Sequence, residues 1–293
     1  MHGPLYAAVE AGGTKMVLGI GTPDGSLKRA TVPTRGPHET LADIAAFFAE
    51  APKVEAVGVA SFGPLDLDVG SPTYGYILPS AKQAWAGTDL LGAICGMFGG
   101  VAGAIDTDVN AAALAEARAA TTGDLAYVTV GTGIGVGLVV NGKAVHGAAH
   151  PEGGHLRLRR HPAHDGFAGV CPFHHDCIEG LASGTAIRAA WGTSLGDLPA
   201  DHPAWAVEAD YLGQLSAAII LMTAPTRIIL GGGVMGQDRL FAPVRDRAAE
   251  LLAGYGRATD RAALETRIVA PVNVEPPGLV GAYLLAGAVC TTD

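Results

Sequence analysis

Residues 125–147 read LAYVTVGTGIGVGLVVNGKAVHG, and residues 5–32 repeat the same order of parts as LYAAVEAGGTKMVLGIGTPDGSLKRATV. Each stretch predicts an apolar strand, a glycine-rich turn, a second strand, a tight turn and a third strand. Asn141-Gly142 is a strong hairpin signal, because a type I′ turn needs a positive φ at both central residues. The chain therefore contains one hairpin pattern twice.

The segments after the two hairpins are also alike. The helical patterns ETLADIAAFFAEA (39–51) and AVEADYLGQLSAAIILMTA (206–224) each precede a buried strand. Unless the two hairpins arose separately, this is a duplicated α/β fold with two lobes around a cleft, where ligands bind. The expected lobes are residues 1–106 plus 279–293 (small) and 107–278 (large). An apolar helix from about Gly278 to Val289 should fold back on the small lobe.

The charge and composition of the chain favour small molecules as its binding partners. The formal net charge is −9 over 293 residues, and no stretch is strongly basic, so neither nucleic acid nor an anionic membrane is an expected partner. No apolar run reaches the ~18 residues that span a bilayer, and no basic segment precedes an apolar one at the start. These features predict a cytoplasmic protein that binds small molecules. Four cysteines in so long a chain do not suggest a disulfide scaffold.

The turn EAGGTK is suited to binding a phosphate group. Gly12 and Gly13 remove side chains between two strands, so backbone N–H groups can point at one anion. Thr14 adds a hydroxyl and Lys15 adds a charge. The turn is not a Walker A loop, which needs a different glycine spacing and opens a helix.

Two further glycine clusters follow predicted strands. Thr132 and Gly133 lie in a loop of alternate glycines that leads into a hairpin, which excludes a dinucleotide fingerprint because that motif leads into a helix. The cluster Gly231, Gly232 and Gly233 follows the strand RIIL and precedes a predicted helix. Each cluster alone is more often a tight turn, but together they favour a bound nucleotide.

The segment CPFHHDC predicts a zinc site that stabilises a loop. Cys171 and Cys177 supply two thiolates, and His174 and the upstream His155 supply two imidazoles, which is a donor set that tetrahedral zinc prefers. The set is complete without water, so the ion is expected to be structural. His161, His164 and His175 are nearby alternatives, and unmetallated cysteines are the other interpretation.

Two carboxylates flank this segment. Glu152 precedes His155 by three residues, and Glu179 follows Cys177 by two. Carboxylates accept hydrogen bonds from several hydroxyls at once, as a polyol presents them. Ordinary surface charge is the alternative explanation.

AIDTDVNAA (104–112) predicts the end of a strand followed by a helix. Asp106, Asp108 and Asn110 would then lie at or near the helix N-terminus, where such residues often act as caps. The corner between the two duplicated halves should open onto the cleft, which makes Asp108 a candidate catalytic base.

These motifs together resemble the ROK family of sugar kinases, of the actin-like ATPase (ribonuclease H-like) fold. EAGGTK, DTDVN, GTGIGVGLVVNGKAVHGAAHPEGGH and CPFHHDCIEG appear in the family order over nearly the whole chain. Glu10, the CPFHHDC segment and YGYILPSAKQAW are similar to the fructokinase branch. His175 is a departure, because related sequences often carry glycine there.

The resemblance implies an ATP-dependent kinase that phosphorylates a free hexose, with D-fructose converted to fructose 6-phosphate as the first expectation. It also implies that the enzyme uses Mg²⁺ and holds a structural Zn²⁺. It implies that Asp108 is the base, that Glu152, His155 and Glu179 hold the sugar, and that the enzyme is a homodimer. Mannose, glucose and an N-acetylated amino sugar are alternative substrates. A sugar- or nucleotide-binding sensor without turnover is the alternative from another class.

Overall fold

The computed structural model describes residues 4–273 and 275–290, and the chain forms two compact units. The first unit comprises Met1–Thr121, Lys143–Pro151 and Asn273–Asp293, and the second comprises Thr122–Gly142 and Glu152–Val272. The small and large lobes expected from the sequence end at other residues, and those boundaries stay a prediction. Residues 1–3 and 291–293 of the expected small lobe lie outside the described residues.

The strands, in chain order, are β1 Tyr6–Ala11, β2 Lys15–Thr22, β3 Gly25–Pro33, β4 Ala56–Ser61, β5 Gly103–Thr107, β6 Leu125–Val130, β7 Ile134–Val140, β8 Lys143–Ala144, β9 Arg227–Gly231 and β10 Ile268–Val269. The α-helices are α1 Pro37–Phe48, α2 Leu90–Met97, α3 Asp108–Ala119, α4 Ile178–Ala182, α5 Gly184–Trp191, α6 Ala204–Thr223, α7 Phe241–Leu252, α8 Arg261–Arg267 and α9 Pro277–Cys290. Between residues 4 and 273 and between 275 and 290, no helix is both long and apolar enough to cross a membrane.

The sheet of the first unit has the order β3-β2-β1-β4-β5. β1 pairs antiparallel with β2 and parallel with β4, and both of these pairings bury nearly continuous apolar strands. Side chains of α1 and α2 pack with the sheet in one apolar cluster, and α9 contributes to another that includes β1 and β4. A side chain at Gly58 of β4 would begin 1.7 Å from the carbonyl oxygen of Ala282 in α9, so only glycine allows this approach. The prediction that the last helix folds back on the first part of the chain is confirmed.

The second unit repeats the pairing pattern. Four strands of its sheet follow the order β10-β9-β6-β7, with β6 antiparallel to β7 and parallel to β9, as β1 is to β2 and β4. Asn141 and Gly142 have φ of 52° and 76°, which confirms the predicted type I′ turn. The duplicated pattern read from the sequence is therefore present in the strand topology.

The segment after this turn differs from the prediction. The sequence predicts a strand over KAVHG (143–147), but β8 ends at Ala144. His146 and His150 instead bond to residues of the first unit, and these bonds hold the segment 143–151 there. After Ala144, the side-chain bonds of His146 and His150 position the backbone in place of strand pairing.

Candidate active site

The Gly12–Lys15 turn of the first unit is preorganised for an anion. The N–H of Gly12 donates to the carbonyl oxygen of Lys15 at 3.0 Å, and a side chain at Gly12 would begin 2.7 Å from that oxygen. The N–H groups of Gly13 and Thr14 have no acceptor among the described residues. Successive unpaired backbone N–H groups form a concave site for an anion.

Asp108 is the first residue of α3 and is not its cap. The Thr107 side chain accepts the N–H of Asn110 at 3.1 Å, which leaves the carboxylate of Asp108 available for other chemistry. One of its oxygens, Oδ1, accepts the N–H of Val109 at 2.9 Å. Burial raises the pKa of Asp108 to about 6, which is close to the value that suits a general base near neutral pH.

Asp106, at the end of β5, is buried and joins three partners. Its Oδ1 accepts the N–H of Thr107 at 2.7 Å and Nδ2 of Asn110 at 2.8 Å, and its Oδ2 lies 3.0 Å from Nε2 of His146. The bond to Asp106 raises the pKa of His146. This network fixes the strand-to-helix corner from which Asp108 projects.

Glu10 is a second carboxyl in the first unit, half-buried as a residue but with a buried Oε2. The Oε2 atom of Glu10 has no partner among the residues that the structure describes. Gly278 leaves room for the Glu10 side chain, since a side chain at position 278 would begin 2.7 Å from Cδ of Glu10. Burial, together with the charge of Asp108, raises the pKa of Glu10 to about 7. A carboxyl in this state is stabilised by a cation.

The loop that contains Thr132 and Gly133 is anchored within the second unit. The N–H of Gly184 donates to the carbonyl oxygen of Gly131 at 2.7 Å, and Oγ1 of Thr185 donates to that of Thr132 at 2.8 Å. Oε2 of Glu179 accepts the N–H of Ile134 at 3.0 Å. The sequence prediction named Thr132, Gly133 and Glu179 separately, and the structure brings them into one corner of this unit.

The cluster Gly231, Gly232 and Gly233 combines packing with open space. A side chain at Gly231 would begin 2.5 Å from the Tyr127 hydroxyl, and Gly232 has φ +89° beside the backbone of Val130. At Gly233 nothing lies within 4 Å. A short 3₁₀ helix, Val234–Gly236, follows, and the predicted helix begins only at Phe241 as α7.

The four predicted metal ligands lie together in the second unit. One ligand atom from each of His155, Cys171, His174 and Cys177 lies within 4.8 Å of all the others. Nδ1 of His155 is 3.8 Å from Sγ of Cys171 and 3.5 Å from Sγ of Cys177, and Nδ1 of His174 is 3.7 Å from Sγ of Cys171. These spacings are close to the ~3.5 Å edge of a tetrahedron built from Zn–N and Zn–S bonds. The donor set therefore fits zinc.

His155 also faces Glu152, a proposed sugar-binding carboxylate. Nε2 of His155 lies 4.0 Å from Oε2 of Glu152, so the two ring nitrogens are directed to different groups. A ligating histidine commonly directs its second nitrogen to a carboxylate, which fixes the ring.

The neighbouring histidines, His161, His164 and His175, make other contacts. His175 has φ +55°, the left-handed conformation that glycine adopts most easily, and its backbone pairs with that of Cys171. His164 is buried beside Trp191 and Tyr211, and His161 caps a short helix through its Nδ1.

Several polar residues of the first unit were not assigned roles from the sequence. These are Glu10, whose Oε2 has no partner among the described residues, Lys82, which donates to the Gly13 carbonyl oxygen, and His146, which pairs with Asp106. The signal for Glu10 was a carboxylate inside the apolar strand YAAVEA. Lys82 and His146 contact residues far away in the chain, and no local pattern identifies such contacts.

Comparisons with known proteins agree with this description. A family model described as "ROK family" matches residues 6–289. A fructokinase from Zymomonas mobilis is 42% identical, covering 96% of this chain and 96% of that protein. A fructokinase from Pediococcus pentosaceus is 38% identical, covering 97% and 98%. The ROK hexokinase structure from Thermus thermophilus has a TM-score of 0.77 at 24% identity, covering 97% and 98%. This likeness shows the fold and confirms the predicted actin-like ATPase class.

Proposed function

Because this chain belongs to the ROK family, we propose that it is an ATP-dependent fructokinase that converts D-fructose to fructose 6-phosphate. The observation that carries this proposal is the 42% identity to a fructokinase, which extends over 96% of both chains. Other fructokinases, from Pediococcus pentosaceus and Streptococcus mutans, support the same substrate.

Asp108 is the proposed general base. The sugar hydroxyl oxygen forms a bond to the γ-phosphorus of ATP, the bond from that phosphorus to the β,γ-bridging oxygen breaks, and ADP leaves. Asp108 accepts the hydroxyl proton. With a pKa of about 6, Asp108 is largely ionised at pH 7 and is a stronger base than an ordinary aspartate, so it can accept the hydroxyl proton.

The glycine turns are the proposed phosphate and nucleotide contacts. The unpaired N–H groups of Gly13 and Thr14 supply donors for negative charge, and Lys15 is exposed beside them. In the second unit Thr132 and Gly133 form an anchored loop, and Gly233 leaves bare backbone for a flat ring or a phosphate. Gly231 and Gly232 allow the close packing that places Gly233 there.

Two metal ions complete the proposal. The unpartnered Oε2 of Glu10 fits Mg²⁺, which would supply positive charge to the phosphates of bound ATP. His155, Cys171, His174 and Cys177 would hold a structural Zn²⁺. That site would fix His155 and, through Cys177 two residues before it, Glu179. Together with Glu152, these side chains are the proposed ligands of the sugar hydroxyls.

A coupled assay of ADP release with a panel of free sugars tests the proposed function. We expect the highest kcat/KM with D-fructose and a product phosphorylated at the 6-position. A preference for mannose, glucose or an N-acetylated amino sugar would replace fructose as the substrate but keep the kinase. No ADP release with any sugar, despite measurable nucleotide binding, would favour a sensor and contradict the proposal.

A further inference from the structure

Lys82 contacts the proposed phosphate turn from a distant part of the sequence. Its ammonium group donates a hydrogen bond to the carbonyl oxygen of Gly13. The same Nζ lies over the Phe62 ring, 5.4 Å from its centroid. The π face of an aromatic ring attracts a cation in this position. Burial lowers the pKa of Lys82. Its ammonium group is thus held from two sides beside the turn.

The segment that carries Lys82 is itself anchored. Lys82 precedes a short 3₁₀ helix, Gln83–Trp85. The Trp85 ring is buried, meets Phe62 edge-on with centroids 5.7 Å apart, and donates through Nε1 to the carbonyl oxygen of Arg35 at 2.9 Å. Because its neighbours are fixed, Lys82 can hold the Gly13 carbonyl with little loss of its own freedom.

The contact determines where one backbone N–H points. The Gly13 carbonyl and the Thr14 N–H belong to one planar trans peptide unit, so the two groups point in opposite directions. Binding the carbonyl to Lys82 therefore directs the Thr14 N–H away from the ammonium group. That N–H is one of the two unpaired donors of the turn.

Without such a bond, this peptide unit can rotate. Gly13 has no side chain to restrict φ and ψ, and the nearest group to a side chain built there would be Cε of Lys82, at 3.3 Å. A rotated peptide would present the carbonyl oxygen, which repels a phosphate, in place of the N–H that binds it.

We propose that Lys82 is a positioning residue for phosphoryl transfer, which fixes the Gly13–Thr14 peptide so that the Thr14 N–H faces the ATP phosphates. This proposal rests on the proposed kinase function. Lys82 acts through the turn, so its effect should appear in ATP binding and in kcat but not in the binding of fructose.

The test compares Lys82→Met with the wild-type enzyme by calorimetric titration of ATP and of fructose, by steady-state kinetics and by thermal unfolding. We expect kcat/KM for ATP to fall roughly ten-fold to hundred-fold, at or below the low end of the ~10²–10³-fold loss for a deleted oxyanion-hole donor, because the Thr14 N–H is misdirected and not removed. The fructose Kd and the Tm should be unchanged. Lys82→Gln keeps a neutral N–H donor and should recover part of the loss. Lys53→Met removes an exposed lysine far from the turn in sequence and should match the wild type.

If Lys82→Met binds ATP and turns over like the wild type, Lys82 does not orient the turn and the proposal is overturned. If Lys82→Gln loses as much as Lys82→Met, the charge of Lys82 acts on the phosphate directly. If fructose affinity and Tm fall together with ATP affinity, Lys82 is a general structural anchor. If the wild type binds ATP but phosphorylates no sugar, the kinase function fails, and the ATP affinities of the variants still decide whether Lys82 orients the turn.

Discussion

Glu179 accepts the backbone N–H of Ile134 through Oε2 at 3.0 Å, and the same oxygen lies 2.4 Å from where a side chain at Gly133 would begin. The absence of a side chain at Gly133 therefore creates the space that the Glu179 carboxylate occupies. A proposed sugar ligand and a proposed nucleotide loop share one contact in the second unit.

Gly133→Ala should displace this carboxylate. No real Cβ tolerates an oxygen at 2.4 Å, so Glu179 must move and lose its bond to Ile134. We expect the KM for fructose to rise about ten-fold, the equivalent of ~1.4 kcal/mol of lost binding free energy. Steady-state kinetics measures it, and Gly166→Ala, where a side chain meets open space, is the control. An unchanged KM for fructose would mean that Glu179 does not hold the sugar.

The pH dependence should report Asp108. Its pKa is raised to about 6, and only the deprotonated form accepts a proton, so kcat/KM for fructose should fall about ten-fold per unit as the pH drops below 6. Glu10, with a pKa raised to about 7, is the other group whose protonation could cause this acid limb, the fall in kcat/KM at low pH. In a Glu10→Gln variant the limb should stay near pH 6. A limb that disappears in this variant would assign the titration to Glu10.

Zinc should support the fold of the second unit. Elemental analysis should find one zinc per chain, and removal by a chelator should lower Tm by several degrees, since ~1 kcal/mol corresponds to about 2–4 °C at this size. Cys177→Ser should lose the metal, whereas Cys290→Ser, outside the ligand set, should keep it. A metal-free protein with the same Tm would contradict the assignment.

Asp106→Ala should weaken the corner that carries the base. It leaves Nδ2 of Asn110 and Nε2 of His146 without their buried acceptor, and we expect the free energy of unfolding to fall by about 1–3 kcal/mol. Asp106→Asn keeps one carbonyl acceptor and should cost less. Urea unfolding measures both variants. Equal stability of Asp106→Ala and the wild type would show that the network is not stabilising.

Local patterns in the sequence predict the repeated hairpins and the cluster of proposed metal ligands. Alternating apolar runs, the Asn141-Gly142 turn and the spacing of Cys171 and Cys177 each depend on residues that are close in the chain. The structure groups His155, although upstream, with His174 and the two cysteines. That these four residues bind zinc stays a prediction.

The remaining contacts required the folded chain. The sequence predicts neither the early end of β8 at Ala144, where His146 bonds to Asp106, nor the short 3₁₀ helix Val234–Gly236 that precedes α7. The contact of Lys82 with Gly13 joins residues 69 positions apart. The left-handed backbone conformation of His175 is likewise not visible in the residue type.

The most direct test is the turnover of Asp108→Asn with D-fructose and ATP, measured beside fructose affinity by calorimetry. The substitution keeps the size of the side chain and removes its basicity. We predict a loss of kcat of about 10²–10⁴-fold with fructose affinity within a few-fold of the wild type. A variant that turns over at close to the wild-type rate would contradict the role of Asp108 as the base.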